Sequence, residues 1–186
     1  MKNLQLLNLE SVDNVVSPEL FEESTLDSPT ESIFTDFKKV KAFIIDGDTL
    51  AEDALKLMRK AHVRMKIVVS NSGDFIGIIS TTELSERHIV AEVAKGNSRK
   101  DILVEDLMIP RKDLHAFDYN ELIHSKVKDV IYALESYKLR HCLVLDKEYH
   151  HIRGVISSSD ISRRLQLPID LNVDNTFSTI FQLLNL

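Results

Sequence analysis

The sequence predicts an α/β (α+β) fold in which two tandem β-α-β-β-α units pack together as a pseudo-two-fold pair. Two seven-residue stretches support this: Gly77–Glu83 and Gly154–Asp160 each contain a glycine, two β-branched residues, a serine, two small hydroxyl residues and a carboxylate, in that order. Upstream, residues 63–69 align with residues 139–145, and both segments are typical of a buried strand. A repeated unit indicates that neither copy buries its apolar face alone, so the two copies form one structural domain.

The first unit is predicted to span residues 28–96, after an N-terminal arm at residues 1–27. Thr49 is a candidate N-cap, because apolar residues recur at helical spacing after it. Gly96 is a candidate C′ glycine at the end of the second helix. The predicted elements are a short helix or turn, a strand, a helix, the two strands of a hairpin and a helix, at residues 33–37, 38–45, 49–61, 63–69, 75–79 and 80–95.

The same order of elements is predicted for a second unit at residues 97–166. Its first helix stops before Pro110, because proline cannot continue a helix, and Ser125 is the candidate N-cap of its second helix. Its elements are expected at residues 101–108, 114–117, 125–134, 139–145, 152–156 and from residue 157 onward. The tail at residues 167–186 is predicted to form an amphipathic helix that packs on the body of the protein or on a subunit interface.

Composition and charge exclude several classes of protein. The 186 residues carry a formal net charge of −6, which argues against a nucleic-acid partner. No apolar run approaches the length of a membrane span, so no membrane partner is expected. Cys142 is the single cysteine, which rules out an internal disulfide and fits a cytoplasmic location.

The serine of each repeated stretch precedes a carboxylate by three residues, and this spacing has two interpretations. In one, Ser80 with Glu83, or Ser157 with Asp160, forms a capping box that satisfies backbone N–H groups at a helix start. In the other, the same helix end binds an anion through its unsatisfied N–H groups and partial positive charge. The residues alone leave both interpretations open.

Other polar groups carry less information. Lys38-Lys39 and Lys41 occupy a place equivalent to Arg111-Lys112, where they either attract anions to a pocket or provide solubility. His150-His151 lack a second cluster of ligands at metal-binding spacing, so they are expected at a solvated hairpin tip and no metal site is predicted. The sequence has no glycine-rich phosphate loop and no spacing typical of a known hydrolase, so no catalytic residue is predicted.

The repeated motifs resemble the CBS domain, which occurs in tandem pairs. The resemblance rests on Val63-Arg64 and Leu139-Arg140-His141 at two strand openings and on the glycine-to-carboxylate stretches that close the units, and it covers roughly residues 28–166. It implies a non-catalytic regulatory module that binds an adenosine nucleotide (AMP, ADP or ATP) between the units and requires no cofactor. It also implies a homodimer that signals through itself or through an unidentified protein partner. The arm and tail are similar to those of stand-alone bacterial CBS-pair proteins.

The resemblance also implies roles for individual residues. Ser157 would contact the phosphate, and Asp160 would accept hydrogen bonds from the two ribose hydroxyls. Arg163 and Arg164 follow one helical turn later, where they either meet the phosphate or lie on an exposed helix face. Three residues near the openings of the equivalent strands would line the pocket: Arg140, His141 and Met65.

The matching positions in the first unit, Ser80 and Glu83, depart from the family pattern. Glutamate replaces the usual aspartate, and its extra methylene moves the carboxylate by about an ångström and suits a capping box better. Ile67 and Leu143 stand where the family often has proline. The pocket at Asp160 is therefore expected to be the better nucleotide site and the one at Glu83 weak or different. The alternative is a structural or dimerisation protein whose vestigial pockets bind no nucleotide.

Overall fold

The computed structural model describes residues 24–167 and 176–184, so most of the predicted arm and part of the predicted tail lie outside the described residues. Within these ranges the α-helices are α1 (Ala51–Lys60), α2 (Glu86–Ala94), α3 (Val104–Leu107), α4 (Tyr119–Leu122), α5 (Val127–Ala133), α6 (Ser158–Arg164) and α7 (Phe177–Leu184). The strands are β1 (Phe34–Asp36), β2 (Ile44–Asp46), β3 (Met65–Val69), β4 (Phe75–Ser80), β5 (Ile109–Pro110), β6 (Ala116–Asp118), β7 (His141–Asp146) and β8 (His151–Ser157).

The described strands form two four-stranded sheets, ordered β2-β3-β4-β5 and β1-β8-β7-β6. Each sheet is built on an antiparallel hairpin, β3-β4 or β7-β8, with β2 or β6 parallel to the first strand of the hairpin. A parallel pair needs a crossover connection, which α1 supplies in the first sheet and α4 with α5 supply in the second. The predicted mixed α/β fold of two tandem units is confirmed, while the unit boundaries after residues 27, 96 and 166 stay predictions.

The opening strand of each predicted unit belongs to the sheet of the other unit. β1 pairs antiparallel with β8, and Phe34 lies opposite Ile156. β5 pairs antiparallel with β4, and Ile109 lies opposite Ile78. The prediction of a helix or turn at residues 33–37 is therefore wrong in its centre. Three residues are too few to display an alternating pattern, and the partner strand lies far along the chain.

The glycines of the repeated stretches lie beneath the exchanged strands. A Cβ atom at Gly154 would overlap the carbonyl oxygen of Thr35 and the ring of Phe34. A Cβ atom at Gly77 would lie 2.5 Å from the carbonyl oxygen of Ile109. A backbone atom in a paired strand cannot move aside as the end of a side chain can. Each of these two close approaches between paired strands therefore requires glycine. The repetition of glycine in the sequence thus follows from the strand exchange.

A buried ion pair fastens β1 to β8. Arg153 donates from Nε and Nη2 to the two carboxylate oxygens of Asp36, at 2.7 and 2.8 Å, and the two side chains are 11% and 6% exposed. The Arg153 guanidinium also lies 4.2 Å from the ring centroid of Tyr119. The hydrogen bonds from Arg153 hold the pKa of the Asp36 carboxyl below its ordinary value. The exchanged strand is therefore anchored at its last residue.

A cluster of apolar side chains fills the space between the two sheets. At its centre are Ile67 and Ile78 from the first unit and Leu143 and Val155 from the second. Two further clusters lie between each sheet and the helices that cover it. Because both units contribute to the inter-sheet cluster, neither unit could bury it alone, as the sequence repeat predicts.

Two helices begin one residue later than the sequence predicts. α1 follows Leu50 and α5 follows Lys126, whereas Thr49 and Ser125 were the candidate N-caps. The Ser125 hydroxyl donates instead to the carbonyl oxygen of Glu121 at 2.9 Å. The backbone of Thr49 accepts a hydrogen bond from the start of α3. At Ser125 a local bond to a carbonyl four residues earlier has therefore taken the hydroxyl that would otherwise cap α5.

The described part of the tail forms helix α7, as predicted, and it packs on the second unit. Phe177 and Ile180 are buried in the core of that unit. The ring of Phe181 lies 6.3 Å from that of Tyr132 on α5. In this structure α7 therefore covers the helical face of the second unit.

Replacement of Gly154 by alanine is expected to lower the free energy of unfolding by about 2–3 kcal/mol, because the new Cβ atom would push β1 away from β8. The control is Gly96→Ala, where φ is 101° and nothing lies near the added Cβ, and where only the backbone penalty of about 1 kcal/mol applies. Urea unfolding monitored by circular dichroism measures both variants. Equal losses of unfolding free energy in the two variants would contradict the close approach of β1 to Gly154.

The Asp36→Asn variant is expected to lose about 2–3 kcal/mol of unfolding free energy at pH 7, because it leaves Arg153 without its carboxylate. The folded-state pKa of Asp36 lies below the unfolded value of about 3.9. The contribution of the carboxylate is thus complete above the unfolded-state pKa and is lost as the pH falls through the folded-state pKa.

Urea titrations between pH 7 and pH 3 test this pH dependence. The difference between wild type and Asp36→Asn should stay constant from pH 7 to about pH 5 and shrink below about pH 4. The control is Asp27→Asn, which removes an exposed carboxylate paired with Lys126 and Lys128 and should leave stability nearly unchanged. A difference that is already shrinking between pH 7 and pH 5 would contradict the depressed pKa of Asp36.

Candidate functional site

Ser157 and Asp160 lie where β8 passes into α6. Ser157 is the N-cap of α6, as predicted, and its Oγ accepts a hydrogen bond from the backbone N–H of Asp160 at 3.1 Å. This cap uses only the backbone N–H of Asp160, so the carboxylate of Asp160 is not needed for it. Asp160 Oδ1 accepts a hydrogen bond from Arg163 Nη2 at 2.8 Å, and the Asp160 side chain is 32% exposed.

Both units contribute to a cleft of about 740 Å³ that opens beside this helix start. Five of the nine predicted site residues line it: Ser157, Asp160, Arg163, His141 and Met65. The first unit supplies the opposite wall, which includes the strand opening at residues 62–65 and the connection between β1 and β2. The volume lies in the range that is typical of pockets for small organic ligands.

Four predicted site residues lie outside the lining of this cleft: Arg164, Arg140, Ser80 and Glu83. Arg164 is on the same helix as Asp160, and its carbonyl oxygen accepts the N–H of Ser24 at 3.2 Å. Arg164 as a whole is half-buried, and its role stays a prediction.

Several cleft residues are not among the nine predicted site residues, although the sequence already indicates Lys41 as a residue that either attracts anions or provides solubility. Lys41 and the exposed side chains of Val40 and Phe43 belong to the segment that connects β1 with β2. His62, in the left-handed region at φ 53°, ends the turn after α1. The β-branched and aromatic residues of 38–45 suggested a long strand, but only β2 forms there. The exposure of Val40 and Phe43 in the structure, and not the residue types of this segment, indicates that they belong to a site.

The charge of the cleft is opposite in sign to that of the whole protein. Lys41, Arg64 and Arg163 line it, and among the described residues Asp160 is the only carboxylate that does so. The protein as a whole carries −6. Such a local excess of positive charge attracts anions to the cleft.

His141 lies on the floor of the cleft as a neutral imidazole. Burial lowers its pKa, although the nearby carboxylates of Glu83 and Asp160 oppose the shift. At pH 7 the ring is therefore uncharged and offers one hydrogen-bond donor and one acceptor. His141 is thus suited to contact a base or a sugar hydroxyl and does not supply a positive charge for a phosphate.

In the equivalent pair of the first unit, the carboxylate of Glu83 is hydrogen-bonded to Ser80. The N–H of Ser80 donates to Glu83 Oε2 at 3.0 Å, and the Ser80 hydroxyl donates to the same oxygen. Both residues are buried. The other carboxylate oxygen of Glu83 lies 3.7 Å from Arg140 Nη1, which comes from the second unit. Both carboxylate oxygens of Glu83 therefore already have partners within the protein.

The helix predicted to start at Ser80 begins later. Residues 81–84 form turns, Ser85 is the N-cap, and α2 starts at Glu86. Glu83 thus makes its half of a capping box by accepting the N–H of Ser80, whereas the Ser80 hydroxyl accepts the N–H of Thr82, and these contacts close a turn and not the first turn of an α-helix. Gly96 follows the end of α2 with φ 101°, as expected for a C′ glycine.

Solved structures of CBS-domain proteins have a fold similar to that of this chain. A CBS-domain-containing protein from Agrobacterium tumefaciens has a TM-score of 0.54 and 14% identity, covering 81% of this chain and 98% of its own. A CBS domain protein from Thermoplasma acidophilum has a TM-score of 0.51 and 19% identity, covering 82% and 77%. CBSX2, a CBS-pair protein of Arabidopsis thaliana, was solved in complex with AMP and has a TM-score of 0.51 and 19% identity, covering 76% and 98%.

Residues 36–88 match the model of the CBS domain family. The resemblance to the CBS domain found in the sequence is therefore confirmed for these residues, and the described chain is similar in fold to solved CBS-domain proteins. No curated protein sequence matches it. In the ranges that the structure covers, no helix has the length and apolar character needed to cross a membrane, and no group of three His, Cys, Asp or Glu side chains is arranged to hold a metal ion.

The two equivalent carboxylates are expected to differ in their effect on stability. Glu83→Ala should cost about 2–3 kcal/mol of unfolding free energy, because the buried N–H and hydroxyl of Ser80 lose their acceptor. Asp160→Ala should cost less than about 1 kcal/mol, because the side chain is partly exposed and pairs with Arg163 on its own helix. Urea unfolding measures both, and a loss at Asp160 as large as that at Glu83 would contradict this assignment.

Proposed function

We propose that this protein is a non-catalytic regulatory module that senses an adenosine nucleotide (AMP, ADP or ATP) in the cleft between its two units. The observation that carries the proposal is the convergence of Ser157, Asp160 and Arg163 with His141 on one inter-unit cleft. The AMP complex of CBSX2, which has a similar fold, supports the choice of ligand class.

The chemistry of the cleft walls fits the parts of a nucleotide. Asp160 can accept hydrogen bonds from both ribose hydroxyls, because a carboxylate has several acceptor positions. The hydroxyl of Ser157 and the guanidinium of Arg163 can hold the phosphate through charge-assisted hydrogen bonds. The exposed side chains of Val40 and Phe43 offer apolar surface for the base.

The output of the module is proposed to be a change in the arrangement of the two units. The ligand contacts both units, so it favours whichever arrangement brings its contacts together, by no more than its difference in affinity for the two. We propose a cytoplasmic homodimer that passes this change to an unidentified protein partner or acts through the dimer itself. No nucleic-acid or membrane partner and no further cofactor are part of the proposal.

A second candidate function is a structural or dimerisation protein without nucleotide affinity. The closure of Ser80 on Glu83 favours it, because one of the two equivalent sites has no carboxylate left for a ligand. The two candidates differ in one observable, which is whether the purified protein binds a nucleotide.

AMP binding measured by isothermal titration calorimetry is expected to weaken at least about tenfold in Asp160→Ala, because a charge-assisted hydrogen bond is lost. The matched control is Asp53→Ala. Asp53 also lies in the first turn of a helix and pairs with a cation three residues later, Lys56, but it does not line the cleft. AMP affinity should be unchanged in this control.

Titration with 2′-deoxy-AMP identifies the group that Asp160 contacts. Wild type should bind AMP more tightly than 2′-deoxy-AMP, whereas Asp160→Ala should bind the two almost equally, because the acceptor for the hydroxyl is gone. Failure of AMP, ADP and ATP to bind wild type would favour the structural alternative. An equal preference for AMP in wild type and variant would exclude the ribose role of Asp160.

A further inference from the structure

A second cavity, of about 500 Å³, lies at the edge of the sheets where the two hairpins turn, beside the inter-unit cleft proposed above to bind a nucleotide, which we call the nucleotide cleft. We call it the hairpin-edge cavity; Phe37, Lys41, Ile67, Phe75, Arg111 and His151 are among its lining residues. It contains none of the nine predicted site residues. Phe37, Lys41 and Ile67 also line the nucleotide cleft, so the two cavities share a wall.

The ionisable side chains of the hairpin-edge cavity are all basic among the described residues. Lys41 and Arg111 bring two permanent positive charges, and His150 and His151 bring two imidazoles. No aspartate or glutamate of the described chain lines it, in a protein whose net charge is −6. A cavity of this kind concentrates anions relative to bulk solvent.

The rest of the lining is apolar. Phe37, Ile67 and Phe75 form part of the inner wall, and Ile44 lies at the rim with half of its surface exposed. Large apolar side chains that stay exposed around a concave surface are typical of a ligand site. An inorganic anion would use the charges of this cavity but leave its apolar walls in water.

We propose that the hairpin-edge cavity is a second ligand site, which binds an organic anion: a phosphate or carboxylate attached to a flat apolar body. Arg111 and Lys41 hold the anionic group, and the side chains of Phe37 and Phe75 contact the apolar body. This site is separate from the nucleotide site, and it does not require that the nucleotide proposal be correct.

Three probes separate the two parts of the recognition: 1-naphthyl phosphate, 1-naphthol and inorganic phosphate, each titrated calorimetrically into the full chain at pH 7.5. The proposal expects binding of 1-naphthyl phosphate to be at least about tenfold tighter than that of either other probe, because only this probe satisfies both the charges and the apolar walls. Equal binding of 1-naphthol would contradict the role of the cations. Equal binding of inorganic phosphate would contradict that of the apolar walls.

Two variants place the probe in the hairpin-edge cavity. Arg111→Gln should weaken 1-naphthyl phosphate at least about tenfold, whereas Lys112→Gln, which changes the adjacent residue outside either lining, should not. Arg163→Gln changes the nucleotide cleft alone and should leave the probe affinity unchanged. A loss in Arg163→Gln without a loss in Arg111→Gln would place the probe in the nucleotide cleft and overturn the proposal.

The outcome is distinguishable from that of the nucleotide proposal. Arg111 does not line the nucleotide cleft, so Arg111→Gln should retain wild-type affinity for AMP if AMP binds. A protein that fails to bind AMP but binds 1-naphthyl phosphate in an Arg111-dependent way would support the second site alone. Thermal melting of each variant checks folding, which the exposed position of Arg111 is not expected to affect.

Discussion

The exchange of β1 and β5 between the two sheets is the constraint on which the rest of the structure depends. β1 ends at Asp36 on the second sheet, and β2 begins at Ile44 in the first. The connecting segment must therefore cross from one sheet to the other and run along the space between them. This crossing makes residues 37–43 a wall of the cleft. The glycine at position 154 and the buried pair of Asp36 with Arg153 act on the site indirectly, because they hold the strand from which that wall starts.

The two repeated stretches differ in both backbone and side-chain contacts. After Ser157 the chain enters α6 directly, and the carboxylate of Asp160 stays at the cleft and pairs with Arg163. After Ser80 the chain forms turns, and the buried carboxylate of Glu83 accepts hydrogen bonds from the N–H and the hydroxyl of Ser80. The same serine-to-carboxylate spacing thus gives a carboxylate that lines the cleft in one unit and a carboxylate that completes the fold in the other.

The sequence predicted those features whose causes are local. The hairpin strands, the cap at Ser157 and the glycine after α2 follow from residue types within a few positions of each other, and all are present. The pairing of β1 with β8 depends on a contact between distant parts of the chain, so residues 33–37 carried no sign of it. The cleft was predicted in part for the same reason. Residues near the ends of the β3-β4 and β7-β8 hairpins were identified, whereas Val40 and Phe43 were not, because they line the cleft only where the connection from the exchanged strand carries them.

The electrostatics of the cleft follow from the same arrangement. His141 is neutral, because its burial in the strand floor outweighs the attraction of the two nearby carboxylates. An anionic ligand must then be balanced by Lys41 and Arg64 from the first unit and by Arg163 from the second. These cations come from both sides of the cleft. In the proposed function, a phosphate held between them would therefore favour the arrangement that brings the two units together, and a neutral ligand of the same shape would lack this attraction.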